Sequence, residues 1–134
     1  MLPAFDENGN LPPGIHAGST KEIAQRFGIG SAEREVEIKE LLQFIEWART
    51  AGLRRVIING SFVTEKVSPN DVDIVVLPGD SFPADDWRLR NQEMPWPFLH
   101  VIVAADHDDL ADWVFKDFGR DRKNRVKGVV EVIL

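Results

Sequence analysis

The chain predicts a single α/β (α+β) domain, a small mixed β-sheet with helices packed mainly on one face. Three observations predict it. Short β-branched runs at residues 56–58, 72–76 and 129–134 suit strands in a covered sheet. Two amphipathic stretches between residues 19 and 52 have helical apolar spacing and end signals. A length of 134 residues is enough for one core and not for two, so residues 1–134 form one domain, with 1–18 as an N-terminal loop segment.

The loop reading of the first segment rests on its turn formers, Asp6-Glu7-Asn8-Gly9 and Pro12-Pro13-Gly14, with Phe5, Leu11 and Ile15 as anchors. His16 reads as a packing residue rather than a ligand, because no other ligand type stands near it. Ser19-Thr20-Lys21-Glu22 has the form of a capping box opening a short helix through Phe27, with Gly28 as its stop. Ser31 caps a longer helix that ends near Ala51 before Gly52. Val36, Leu41, Leu42, Ile45 and Ala48 fall at helical spacings, and Ile38, Phe44 and Trp47 widen that face. Glu33, Arg34, Glu35, Glu37, Lys39 and Glu40 read as its solvated side.

Residues 54–77 are the stretch around which the rest is organised. A buried strand is followed by Gly60-Ser61, a short connector and a second strand opening with Asp71-Val72-Asp73. Residues at i and i+2 of a strand point to one face, with Cα atoms about 7 Å apart. Two carboxylates there repel each other unless a cation intervenes, and an all-oxygen set suits Mg²⁺ or Mn²⁺. Gly60 permits close approach of a ligand to the backbone, and Ser61 adds a hydroxyl, a combination suited to phosphate. Asn59-Gly60 between apolar runs is equally a type I′ hairpin signal, which would leave Asp71 in a turn and Asp73 facing solvent.

Beyond a turn at 78–81, residues 82–97 read as irregular, with a short helix over 84–94. Trp87, Trp96 and Phe98 suit either core packing or stacking on a base. A third strand follows at 98–104. Asp106, Asp108 and Asp109 have the pattern of a helix cap and acidic first turn, the alternative being a metal site shared with His107. The helix over 109–118 carries Leu110, Trp113, Val114 and Phe118 on one face and stops at Gly119. Arg120, Arg122, Lys123, Arg125 and Lys127 then cluster before the last strand. In an acidic chain such a cluster suits a phosphate or an acidic partner, or forms a solvated loop with Asp121 as counter-charge.

The formal net charge of −6 argues against strong non-specific nucleic-acid binding. The chain has no cysteine, which excludes disulfides, thiolate zinc sites and cysteine nucleophiles and fits a cytoplasmic location. The opening residues lack a basic region and an apolar run, so no signal peptide is expected, and no apolar stretch reaches the roughly 20 residues of a membrane span.

Gly60-Ser61 followed after nine residues by Asp71-Val72-Asp73 resembles the signature of the polymerase-β-like nucleotidyltransferase superfamily. The likeness is to its minimal single-domain branch, which includes toxin-neutralising antitoxins. LPPGIH near the start, GSFVTEK in the middle and the Lys127-Gly128 pair resemble an uncharacterised bacterial group of that superfamily across nearly the whole chain. The resemblance implies that Gly60 and Ser61 hold a nucleoside triphosphate, with Thr64, Lys66, Arg122 and Lys127 as further contacts. It implies that Asp71 and Asp73 ligate Mg²⁺ or Mn²⁺, and that the product is a nucleotidyl group on a protein or RNA hydroxyl. The superfamily draws a third acid from the next strand, where this chain has His100, as base or weak ligand. That departure keeps a second expectation open: a catalytically weak or inactive module, such as an antitoxin or regulator, acting by contact with a toxin-like protein.

Overall fold

A computed structural model describes residues 1–80 and 96–134; the expected helix over 84–94 and Trp87 lie outside the described residues. The chain is an α+β domain built on a five-stranded mixed sheet. Strand β1 (Ile15–Gly18) is followed by helices α1 (Thr20–Phe27) and α2 (Ala32–Ala51), then by strand β2 (Leu53–Asn59). A 3₁₀ turn (Gly60–Val63) leads towards β3 (Val72–Pro78). Strand β4 (Leu99–Val103), helix α3 (His107–Asp112), a π-helical turn (Trp113–Asp117) and β5 (Val129–Val132) complete the fold. The strand order is β1-β5-β2-β3-β4. The β1–β5 and β3–β4 pairs are parallel, while β2 runs antiparallel to both β3 and β5.

Local signals set the helices. Ser19 accepts from the Glu22 N–H while Glu22 reaches back to the Ser19 N–H, so the capping box is closed at both bonds. Ser31 caps α2, and Gly52, with φ +77°, ends it in the left-handed region. Strand alternation then divides the core. Val56 and Ile58 of β2, Ile74 and Val76 of β3 and Val101 of β4 face α1 and α2. Ile57, Val75, Leu77 and Val129 face the other way, onto Leu110 of α3 and Val114 of the π-helical turn. Helices α1 and α2 therefore lie on one face, and among the described residues α3 and the π-helical turn cover the second. Among the described residues no helix is long and apolar enough to cross a membrane.

Four local expectations change. Residues Ile15–Gly18 pair with β5 as an edge strand, not as part of a loop. Val36 and Leu42 are exposed on α2, whereas Arg34 and Glu37, expected on its solvated side, are buried. Residues 60–63 coil into the 3₁₀ turn, so no hairpin links Asn59 directly to a strand at 61–63. The helix expected over 109–118 begins earlier, at His107, and widens into the π-helical turn.

Candidate functional site: a cationic cleft at the end of the sheet

The C-terminal end of β2 and the N-terminal ends of β3, β4 and β5 meet at one end of the sheet. Asp73 has Asn59 as its register partner on β2 and His100 as its partner on β4. By strand alternation Asn59 shares a face with Ile57, Asp73 with Val75, and His100 with Ile102. The three form a polar row across the sheet on the α3 side. Nδ1 of His100 lies 3.1 Å from Oδ1 of Asp73. An ionised Asp73 can only accept, so Nδ1 carries the proton of that bond. Gly60 has φ +74°, and a Cβ there would run into Oδ2 of Asp73. Burial first, and the neighbouring Asp71 charge second, push the Asp73 carboxyl above its ordinary range, opposed by His100 and Lys127.

Beside this row opens a cleft of about 530 Å³ lined by Ser61, Thr64, Lys66 and Asp71 from one side and Arg120, Arg122 and Lys127 from the other. Asn10, Asn70 and Asp121 complete its wall. The sequence-predicted residues thus come together. Ser61, Thr64, Lys66, Asp71, Arg122 and Lys127 line one cavity; Gly60 opens the 3₁₀ turn before Ser61, and Asp73 and His100 pair in the strands at the same end of the sheet. Among the described residues Lys66, Arg122 and Lys127 make no ion pair. Desolvation lowers the Lys127 pKa, with Asp121 and then Asp73 working against it.

Asp121 orders the basic loop rather than opposing its whole charge. Its Oδ1 accepts the N–H groups of Lys123 and Arg125, and its Oδ2 accepts from Arg125 Nε and Asn10 Nδ2. These bonds, the Arg125 N–H foremost, hold its pKa down to about 2. Asp121 and Arg125 neutralise each other, leaving Arg120, Arg122 and Lys127 directed to the cleft.

The other sequence candidates have structural roles. Asp106 caps α3 by accepting the Asp109 N–H at 2.8 Å, and Asp109 accepts from Ala105 N–H. His16 contacts the Pro12 carbonyl through Nε2 at 2.7 Å. Trp96 is buried against Phe44 and Trp47, so its ring is core rather than a stacking platform, while Phe98 is exposed.

Two residues under the cleft were not expected from the sequence. Arg34, 5% exposed, donates Nε and Nη2 to Lys66 O, Nη2 also to Thr64 O, and Nη1 to Phe62 O and Phe27 O. One guanidinium thereby holds three carbonyls of the 60–66 turn. Asn59 is fully buried with Nδ2 on Ile57 O and, among the described residues, Oδ1 without a partner. A polar residue closing an apolar strand was the available signal for Asn59; nothing local marks Arg34.

Whether a divalent cation fits can be judged from the donors. Among the described residues no three His, Cys, Asp or Glu side chains converge to hold a metal. Asp71 and the raised carboxyl of Asp73 offer two carboxylates beside a cationic cleft. Mg²⁺ is commonly held in that way, by one or two carboxylates plus substrate phosphates and water. The donor set fits a cation that arrives with a phosphate ligand, and not a preformed all-protein cage.

A search among curated proteins and a search among solved structures each gave no match. One family model matches residues 3–133, and the chain belongs to that family, described as a family of unknown function (DUF6932).

Proposed function

We propose that the cleft binds a nucleoside triphosphate together with Mg²⁺ or Mn²⁺, as in the nucleotidyltransferase-like proteins that the Gly-Ser and Asp-x-Asp pattern resembles. The observation that carries this reading is the convergence of Lys66, Arg120, Arg122 and Lys127 on one cavity with Asp71, in a chain of net charge −6. Charge-assisted bonds from Lys and Arg suit phosphate oxygens, and the Ser61 and Thr64 hydroxyls add neutral donors. Asp71 and Asp73 would hold the cation, which would neutralise phosphate charge during nucleotidyl transfer to a protein or RNA hydroxyl. Gly60 keeps the backbone beside Asp73 clear of a side chain. Calorimetry with ATP, GTP, CTP and UTP tests the reading: Mg²⁺ should strengthen binding, and Asp73→Asn should abolish that gain. Equal binding with EDTA and with Mg²⁺ would remove the metal from it.

A second reading is favoured by one feature, His100 in register with Asp73 where the resembled superfamily has a third acid. A neutral imidazole carries one negative charge less than a carboxylate and holds a second hard cation more weakly. On this reading the protein binds nucleotide with slow or absent transfer and acts by contact, as an antitoxin or regulator does. Incubation with labelled nucleotide and candidate protein or RNA acceptors separates the two; turnover near 1 s⁻¹, an ordinary if modest enzyme rate of about that order, rules the contact module out.

A further inference from the structure

Arg34 and Glu37 stand one helical turn apart on α2, both buried, and they are not hydrogen-bonded to each other. The guanidinium is engaged by carbonyls: Phe27 O, Phe62 O, Thr64 O and Lys66 O. Glu37 is 1% exposed, and among the described residues neither Oε1 nor Oε2 has a hydrogen-bond partner. The charged groups acting on it are Arg34, Glu33 and Glu40 from α2 and Asp71 from the turn before β3. A carboxylate buried without a partner is strongly disfavoured, so this arrangement suits Glu37 only while it carries its proton. Burial raises its pKa to about 7, with Arg34 opposing and the three acids adding to the rise.

We propose that Arg34 and Glu37 form a proton-operated latch on the 60–66 turn, and so regulate the cleft that this turn lines. With Glu37 neutral, the guanidinium holds the turn carbonyls and fixes Ser61, Thr64 and Lys66 at the cleft wall. When Glu37 gives its proton to solvent, a carboxylate appears one turn from that guanidinium, at the i,i+3 spacing that brings helical side chains together. An Arg–carboxylate pair adds charge–charge attraction to its hydrogen bonds, which a neutral carbonyl acceptor does not supply. Arg34 then exchanges Thr64 O and Lys66 O for the carboxylate, and the turn is released. The latch rests on the buried, unpaired Glu37 one helical turn from Arg34; its effect on ligand rests on the phosphate-cleft reading above.

The latch and the cleft are tested separately on the full chain. Carboxyl ¹³C resonances of glutamate-labelled wild type should place the Glu37 midpoint near pH 7. The amides of residues 62–66 should move with the same midpoint, and should stay still across that range in Glu37→Gln. Calorimetry with inorganic tripolyphosphate should show wild-type affinity falling roughly tenfold from about pH 6 to pH 8 relative to Glu37→Gln, which shares the ligand's own titration. A Glu37 midpoint below pH 5, or 62–66 amides indifferent to it, overturns the latch. Because the titration is read on the wild type, it stands even where a variant fails to fold. Absence of tripolyphosphate binding at every pH overturns the cleft reading, and the resonances still decide the latch.

Discussion

Asp73 and His100 are direct partners across the β3–β4 pair, with Oδ1 of the first 3.1 Å from Nδ1 of the second. The same carboxylate has Gly60 against its other oxygen and Asn59 opposite it on β2. Its environment is therefore set by three strand ends at once. Burial and the Asp71 charge disfavour its ionised form, and the imidazole is the first group in the fold to offset them. Any cation that binds here competes with, or adds to, that histidine.

His100→Asp tests this competition. Exchanging the imidazole for a carboxylate removes a hydrogen bond and sets a like charge opposite Asp73, so the variant without metal should melt several degrees below wild type. Mg²⁺ or Mn²⁺ with ATP should restore more of that loss than in wild type, because the extra carboxylate completes a harder oxygen site. The measurement is a thermal melt with and without Mn²⁺ and ATP. Unchanged Mn²⁺ dependence would mean that position 100 does not face the cation.

Gly60→Ala should cost both stability and ligand. The residue has φ +74°, and its new Cβ would meet the Asp73 carboxylate, so either the turn or Asp73 must shift. Strain of this kind is worth about 1–3 kcal/mol. Urea unfolding should show a loss of that order, and ATP affinity with Mg²⁺ should fall alongside. A variant of wild-type stability and affinity would show the turn to be free to rearrange.

Much of this site was legible in the sequence because its cues are local. Gly60, Asp71 and Asp73 announce themselves by residue type and spacing, and Ser19, Ser31 and Gly52 by capping chemistry. The cues failed where long-range contacts decide. Arg34 and Glu37 look like solvent-facing charges on a helix, and it is carbonyls up to 32 residues away, three of them in the 60–66 turn, that make Arg34 a core residue. The four residues of β1 have no alternation strong enough to mark a strand; they are one because β5, far along the chain, offers a parallel partner. Val36 and Leu42 fit the helical spacing, yet they face away from the sheet.

Glu37 gives stability a definite pH dependence. Its native pKa, about 7, lies above the ordinary 4.5, so the folded state binds more protons between those values. Its contribution is fully present below pH 4.5 and is lost as pH rises towards 7, by at most about 3 kcal/mol. Asp121 works in the opposite sense: its lowered pKa stabilises above about 3.8 and that help is lost as pH falls towards 2. Urea unfolding should therefore show wild-type stability declining from pH 5 to pH 8, while Glu37→Gln declines less and overtakes it near neutrality. Parallel curves for the two proteins would place the Glu37 pKa at its ordinary value.

Lys127 and Arg125 should behave oppositely, although they are two residues apart in one basic loop. Lys127 lines the cleft, and its pKa is lowered by desolvation, so its charge is held at a cost and is available to a ligand. Lys127→Met keeps the aliphatic stem and removes that charge. It should leave the melting temperature unchanged or slightly higher while weakening tripolyphosphate or ATP binding by about tenfold, the loss of one charge-assisted bond of about 1.5 kcal/mol. The salt dependence of binding should flatten with it, since one cation fewer meets the phosphates. Arg125 is turned away from the cleft: Nε bonds Asp121, and Nη1 bonds Asn8 of the N-terminal segment. Arg125→Met should therefore lower the melting temperature, because Asp121 loses the partner that fixes the loop, while direct ligand contacts persist. Binding weakened by Arg125→Met at full stability, or untouched by Lys127→Met, would move the anion site off the wall formed by Arg120, Arg122 and Lys127.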